Sequence, residues 1–577
     1  MPTRLPPRFR LLIVSSGLTL SLGVATTCAR VSSAVERVFP GEAGRLARSV
    51  TIHRDEWGVP HIYGPTDASV AFGMAYAQAE DNFWQVEEDF IHSLGRAAQL
   101  YGEASLPADL VRAAFEVERL SREEYAREPR ERRRLWDAFA LGLDHYLAKH
   151  PEVRPRLLTR FEPWFIFARF RPATPGANID GVRLGDVVAT PIDSATGAGD
   201  WQEVGVWDPS GLVPASEDRA PHGSNTWAVA PTRTAAGHAL LFQNPHVAFF
   251  GSGQRYEVHL QSDEGWHFSG FAILGTPVPR AGHNEHLGWS HTNTAADVED
   301  AYELTFDDPA DPLAYRHGEG WRRAVEWEDT LLVNTTNGLE RRRFRFRKTH
   351  HGPIVTRKDS KPVAVRIARF EEGGSLQQWY AMGKATTLEQ FTAAMGQTAL
   401  PNSNTMYADQ RGNILYVHGN AVPRRSPSLD WTRPLDGSDP ATEWQGYHTL
   451  EELPRLLDPP SAWLQNTNST PFLATAEGGN LSRDGFPVYM APEGDNARAA
   501  MSRRILESVS AWTFEEWANA AFDTRVLEAD NQIPSLIDEW ERLGASDPDR
   551  AAKLDSAINE IREWDRVSAI TSSAMTL

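Results

Sequence analysis

The run Pro221-His222-Gly223-Ser224-Asn225-Thr226-Trp227-Ala228-Val229 sets a glycine–serine step directly against a short apolar stretch with the texture of a strand. A chain cut between Gly223 and Ser224 would carry a hydroxyl and a free α-amine on one residue, so that nucleophile and base arrive together. The reference pKa of an α-amine is about 7.7–8.0, against about 10.4 for lysine, so part of it is neutral near neutral pH. No separate histidine base is then required. Amide cleavage also needs N–H donors aimed at the oxyanion of the tetrahedral intermediate.

Several elements must position such a serine. Ser49 to Arg54 alternates as a strand does, and Trp57 to Tyr63 reads as a turn into a second strand. Ala71, Phe72, Ala75, Tyr76, Ala79, Phe83, Val86 and Phe90 recur at helical spacing, with Thr66 or Asp67 as cap, and a further helix is expected from Glu128 to His150. Within the first, Ala77-Gln78-Ala79-Glu80-Asp81-Asn82 reads as a solvated face. Between Arg171 and Arg219 the texture turns to Pro, Gly, Ala, Ser and Asp, as in a linker or removable spacer. Beyond Ser224 short strand candidates follow one another, among them 227–230, 239–242, 255–260 and 266–273. Arg341 to Thr349 is a strand with one basic face.

Composition limits the partners. The 577 residues exceed the size at which one core stops growing, and 41% hydrophobic with 23% charged residues is ordinary globular content. A net charge of −19 opposes binding to nucleic-acid phosphates or anionic membranes, leaving a small substrate as the expected partner. Arg4, Arg8 and Arg10 precede an apolar run that ends near Thr27, the layout of an export signal over residues 1–28; the other reading is an uncleaved anchor. The single cysteine, Cys28, excludes an internal disulfide.

Four blocks in order carry a resemblance: Arg54-Asp55-Glu56-Trp57-Gly58-Val59-Pro60-His61-Ile62 with Ala77 to Asn82; Gly223-Ser224-Asn225 to Asn244-Pro245-His246; Gly282-His283-Asn284 through Trp289-Ser290-His291-Thr292; and Asn404-Thr405-Met406-Tyr407-Ala408-Asp409 with Gly412-Asn413. Together they resemble the penicillin acylase family of N-terminal-nucleophile amidohydrolases. The resemblance implies an α+β fold, a four-layer αββα sandwich with a largely helical first chain over 29–195, a spacer over 196–223 and a second chain over 224–577. It also implies an exported precursor that cuts itself before Ser224, becomes an α/β heterodimer and hydrolyses a small N-acyl substrate through an acyl-enzyme. His246 and the run Arg255 to Leu260 are similar to the branch that acts on acyl-homoserine lactones and aculeacin, which favours fatty-acyl amides.

The resemblance extends to single residues. Asn404 matches the asparagine whose amide donates to the oxyanion, 180 residues after Ser224, and Asn293 matches the position whose backbone N–H is the second donor. His246 matches a histidine that positions the serine amine, and Arg425 an arginine that fixes the oxyanion asparagine or the substrate. Asp297 and Asp300 match a run of structural calcium ligands, with a solvated acidic turn as the other reading; no cofactor is implied for the chemistry itself. Phe249, Phe250, Trp266 and Phe268 are candidates for an apolar acyl pocket, or for core. Two other classes stay open: a metal-dependent hydrolase built on His283, Glu285, His286 and Asp297, and an exported binding protein or inactive homologue without catalysis. The expectation is also that the C-terminal part of the second chain is cut short at Leu577.

Overall fold

The computed structural model describes residues 39–171, 188–192, 202–203, 223–358 and 361–577. The expected signal over 1–28, Cys28, and most of the spacer lie outside the described residues.

Two sheets stack face to face. The larger has nine strands, in spatial order Thr51–Arg54, Pro60–Gly64, Arg255–Ser262, His267–Ile273, Pro279–His283, Leu287–Asn293, Ser403–Asp409, Ile414–Val417 and Arg455–Leu457. The smaller has three, with Gly223–Val229 between Trp463–Asn466 and Leu240–His246. Side chains in a strand alternate between faces, and Gly223–Val229 shows why its sequence reads as it does. Trp227 and Val229 face outward into a cluster with Trp463, Leu506, Trp512 and Trp517, under the helices Ala497–Ser508 and Phe514–Ala520. Ala228 faces the other way, into a cluster with Met406, Ala408, Ile414, Tyr416 and Leu464 between the two sheets. The same parity assigns Ser224 and Thr226 to the sheet–sheet side.

The outer face of the nine-stranded sheet is covered by helix Asp67–Ser93, which packs on Pro60–Gly64 and Arg255–Ser262. Three apolar interfaces thus separate helix, sheet, sheet and helix, the expected four layers. A further eight-stranded sheet, which the four-layer expectation did not contain, gathers Leu435–Asp436, Glu299–Glu303, Lys361–Ile367, Gly352–Lys358, Gly338–Thr349 and the short segments Val188–Pro191 and Gln202–Glu203. Strand Val325–Thr335 pairs with Gly338–Thr349 as a hairpin, and its Glu326 and Glu328 take the arginines of the basic face, Arg345 and Arg347.

Helix Asp67–Ser93 corrects one reading. The run is a solvated face only in part: Glu80 and Asp81 are exposed, whereas Gln78 is fully buried and accepts from Gly275 N while donating to the Thr276 carbonyl. Asp81 accepts from Arg54 at 2.9 Å and from the Tyr256 hydroxyl at 2.7 Å. Asn82 leaves helical geometry at φ −143°, ψ 37°, and its Oδ1 accepts from Gln254. The two blocks that carry the first part of the resemblance are therefore brought together by these contacts.

Helix Arg130–Lys149 crosses the same helix where Gly142 lies. A Cβ there would stand 2.5 Å from the Phe72 carbonyl oxygen and 2.7 Å from Ala75 Cβ. Neither neighbour is a flexible side-chain end, so Gly142→Ala pushes the helices apart. The expected cost is about 1–3 kcal/mol, read as a lower denaturant midpoint at unchanged slope.

Candidate active site

Ser224 is buried near the start of the central strand of the three-stranded sheet, with 6% of its surface exposed. Its Oγ donates to the Gly223 carbonyl oxygen at 2.6 Å, so the hydroxyl lies beside the peptide that a cut before Ser224 would break. Its N–H donates to Oδ1 of Asn468 at 2.7 Å. The register explains that contact. Strand Trp463–Asn466 pairs antiparallel with Gly223–Val229, Asn466 opposite Thr226, and two residues further on the chain brings Asn468 alongside Ser224. Asn468 sits at φ +59°, a left-handed conformation that asparagine tolerates better than most residues.

Asn468 also reaches the other sheet, its Nδ2 donating to the Asn293 carbonyl at 2.8 Å. Arg498, in the covering helix Ala497–Ser508, closes the third side. Its Nη1 donates to the Ser224 carbonyl at 3.0 Å and to Asn225 Oδ1 at 2.8 Å, and its Nη2 to Asn468 Oδ1 at 3.1 Å. Gly223 is closely surrounded: a Cβ would lie 3.0 Å from Asn468 Oδ1 and 3.1 Å from the Arg498 guanidinium, and both side-chain ends would have to shift by a few tenths of an ångström to admit it.

His246 stands across the strand pair from Gly223, but its ring touches Asn225 and Asn244 rather than Ser224. It reaches the serine indirectly, through Asn225 and Arg498. Burial, and then the nearby Arg498 charge, hold its pKa below the usual histidine range.

Asn404 lies elsewhere than expected. It is fully buried in the nine-stranded sheet, opposite Thr292. Its Nδ2 points to Thr292 Oγ1 at 3.0 Å, the Asn293 carbonyl at 3.3 Å and Asn466 Oδ1 at 3.4 Å, while its Oδ1 accepts from Gly419 N at 2.9 Å. The amide that touches Ser224 is that of Asn468, and Asn404 braces the strands behind it. Arg425 is likewise displaced from the serine. It is buried against Asp300 (Nε to Oδ2, 2.8 Å) and Asp297 (Nη2 to Oδ1, 3.3 Å; Nη1 to the carbonyl, 2.6 Å). The guanidinium at Ser224 is Arg498.

That pairing bears on calcium. A calcium ion takes six to eight oxygens; here one oxygen of each carboxylate, Asp297 Oδ1 and Asp300 Oδ2, meets the Arg425 guanidinium, Trp444 Nε1 also donates to Asp300 Oδ2, and Asp300 Oδ1 is buried without a hydrogen-bond partner among the described residues. The alternative metallohydrolase set is not assembled: Glu285 pairs with His267, His286 with Gln410, and Asp297 with Arg425. Trp266 and Phe268 are fully buried core, while Phe249 and Phe250 are exposed, so the four do not line one pocket.

Asn466, Asn468 and Arg498 went unread in the sequence. Gln465-Asn466-Thr467-Asn468-Ser469-Thr470 is a polar run directly after Trp463-Leu464. Its signal is burial, with Gln465, Asn466, Thr467 and Ser469 all fully inaccessible. Polar side chains this deep are as a rule hydrogen-bonded; Asn466 is, through both amide atoms, while Ser469 Oγ and Gln465 Oε1 find no partner among the described residues. Only the fold shows that the run is deep.

Asn404 is itself held by His291, whose Nδ1 meets the Asn404 carbonyl at 2.9 Å and whose Nε2 accepts from Trp379 Nε1 at 3.0 Å. Both ring nitrogens are thus committed to the neutral form. Burial, with repulsion from Arg280, pushes the His291 pKa down to about 3. Between that value and about 6.5 the unfolded chain binds a proton that the folded chain does not, so stability falls as the pH is lowered through this window. Denaturant titrations between pH 7 and pH 4 are expected to show this loss, and His291→Gln to show a shallower one.

A sequence model of the family described as penicillin amidase matches residues 49–577. The chain is 26% identical to the penicillin acylase 2 proenzyme of Pseudomonas sp. (strain SE83), over 85% of this chain and 65% of that one. It is 25% identical to the acyl-homoserine lactone acylase PvdQ of Pseudomonas syringae pv. syringae, over 91% of this chain and 72% of that one. The chain therefore spans about two thirds of the length of these relatives. A solved structure of thermostable penicillin G acylase from Alcaligenes faecalis aligns at 21% identity and a TM-score of 0.49, covering 60% of each chain. Because the family match runs from before the first strand through strand Gly223–Val229 and both stacked sheets, the chain belongs to the penicillin amidase family.

Proposed function

We propose that the chain is the precursor of an amide-hydrolysing acylase that is cut between Gly223 and Ser224. The observation that carries this reading is the pair of contacts at Ser224: its Oγ on the Gly223 carbonyl and its N–H on Asn468 Oδ1. In the cut, Ser224 Oγ adds to the Gly223 carbonyl carbon, the C–N bond breaks, and the nitrogen takes a proton to become a free amine. Water then hydrolyses the resulting ester, leaving Gly223 as a carboxylate. No cofactor enters this chemistry. The products are a first chain that ends upstream and a second that begins at Ser224, staying together as an α/β heterodimer.

In the mature enzyme the freed amine keeps Asn468 Oδ1 as its acceptor and takes the proton of the hydroxyl as Oγ attacks a substrate amide. An amide NH₂ has two donors. The one that Asn468 does not give to Asn293 supplies the oxyanion, with the backbone N–H of Asn293 as the second donor. Arg498 holds both Asn468 and the Ser224 carbonyl. A net charge of −19 opposes nucleic-acid and anionic-membrane partners and leaves a small N-acyl substrate; the relatives bear the names of penicillin and acyl-homoserine lactone acylases. We place the substrate among fatty-acyl amides on the strength of His246. The export signal over 1–28 puts the maturation outside the cytoplasm.

Mass spectrometry of the purified protein is expected to find a fragment beginning at Ser224, and Ser224→Ala to leave one uncut chain. A new terminus elsewhere, or a cut that survives in the alanine variant, overturns the reading. Asn468→Asp keeps the side-chain oxygens and removes the donors, and it is expected to lower turnover of an N-acyl substrate by about 10²–10³. Turnover that is unchanged removes Asn468 from the oxyanion role.

A further inference from the structure

A second group of ligating side chains lies on the eight-stranded sheet side of the molecule, in residues that the proposed hydrolysis does not use. Glu443 Oε1 is 2.9 Å from His317 Nε2 and 2.5 Å from His350 Nε2. One ligand atom from each of the three lies within 4.8 Å of the other two, the only such group among the described residues.

The three come from separate segments. His317 ends strand Ala314–His317, His350 lies in the turn between Gly338–Thr349 and Gly352–Lys358, and Glu443 follows the turn Pro440–Thr442. No sequence spacing announces the group, which is why it was invisible until the segments were folded together.

Two features go beyond proximity. The Tyr315 hydroxyl lies 2.7 Å from His350 Nδ1, so that ring is fixed from behind with Nε2 turned toward Glu443. A second partner on the far nitrogen is how metal-binding imidazoles are oriented. His350 also stacks on Tyr315, with ring planes 12° apart, and lies against His351. All three ligands are only partly covered, with 15%, 22% and 27% of the side chains of His317, His350 and Glu443 exposed, which leaves a path for an ion and water. Arg322 Nη1 stands 3.5 Å from the same Glu443 oxygen, but its side chain is 44% exposed and can swing out.

We propose that His317, His350 and Glu443 bind a divalent transition-metal cation of zinc's preference through two imidazole Nε2 atoms and one carboxylate oxygen, with water in the remaining position. Two histidines and a glutamate are a ligand set that zinc accepts, and imidazole disfavours calcium and magnesium. The ion would tie together the Ala314–Arg323 hairpin, the His350 turn and the loop that carries Glu443. It is a structural clamp, separate from the serine chemistry.

The test uses the full chain stripped with a chelator. Calorimetric titration with Zn²⁺ is expected to show one saturable site, and Co²⁺ to give the intense visible bands of a four-coordinate ion. His350→Gln and Glu443→Gln should each weaken binding at least about tenfold, and Tyr315→Phe by about 10–100-fold. His61→Gln, which breaks an imidazole pair in another sheet, His61 with His259 at 3.1 Å, should leave it unchanged. Absence of saturable Zn²⁺ binding, or equal affinity in His350→Gln, overturns the proposal. Should a variant fail to fold by circular dichroism, the Co²⁺ spectrum of the unaltered chain decides: bands of an aquo ion alone overturn it.

Discussion

The interaction on which the rest depends is the polar seam that crosses from one stacked sheet to the other. Asn466 occupies its centre. Its Oδ1 accepts from Thr292 Oγ1 at 2.5 Å and from Asn468 N at 3.0 Å, and its Nδ2 donates to the Tyr416 hydroxyl at 2.8 Å and to the Ser469 carbonyl at 2.9 Å. Asn404 closes the seam from the nine-stranded side. Buried polar groups cost more when unpaired than they return when paired, so this set is stable only if complete. Completing it fixes the path of the chain after Asn466 and thereby places Asn468 at Ser224.

Charge is handled by the same economy of partners. The carboxylates of Asp297 and Asp300 meet Arg425 across the chain, so a buried cation is supplied by the protein itself. Truncating one member of such a set leaves the others uncompensated. Arg498 is different: its partners are carbonyl and amide oxygens, not carboxylates. The serine therefore sits beside a positive group without a counter-charge in direct contact, which suits a site where negative charge is to develop.

How much of this was legible follows from scale. Local periodicity gave the helices 67–93 and 130–149 and the strands after Ser224 to within a few residues, because alternation and three-to-four spacing are written in neighbouring positions. Ser224 stood out because the Gly-Ser step sits at a change of texture in neighbouring positions. Asn404 was read as an oxyanion donor and Arg425 as holding that asparagine or the substrate; in the fold neither contacts Ser224, whose side-chain amide and guanidinium neighbours are Asn468 and Arg498. Choosing between Asn404 and Asn468 depends on which strand lies next to Gly223–Val229, a contact 244 residues apart in sequence, and nothing local encodes that. Of the adjacent Arg424 and Arg425, the fold sends the first to Glu452 at the surface and the second inward. Gln78 shows the opposite failure. It was read with a solvated face, yet it is buried because the Gly275 N–H needs an acceptor there.

The tight fit around Gly223 has a consequence for chemistry at Ser224. Its Cα is flanked by Asn468 Oδ1 and the Arg498 guanidinium so closely that one added carbon would touch both. If an incoming acyl group takes the place that Gly223 leaves, its own α-carbon inherits these two neighbours. A straight CH₂ at that carbon then passes freely, and a branch passes only by displacing both side-chain ends by a few tenths of an ångström. Selection among acyl groups would begin at the first atom beyond the carbonyl, ahead of any pocket that measures chain length.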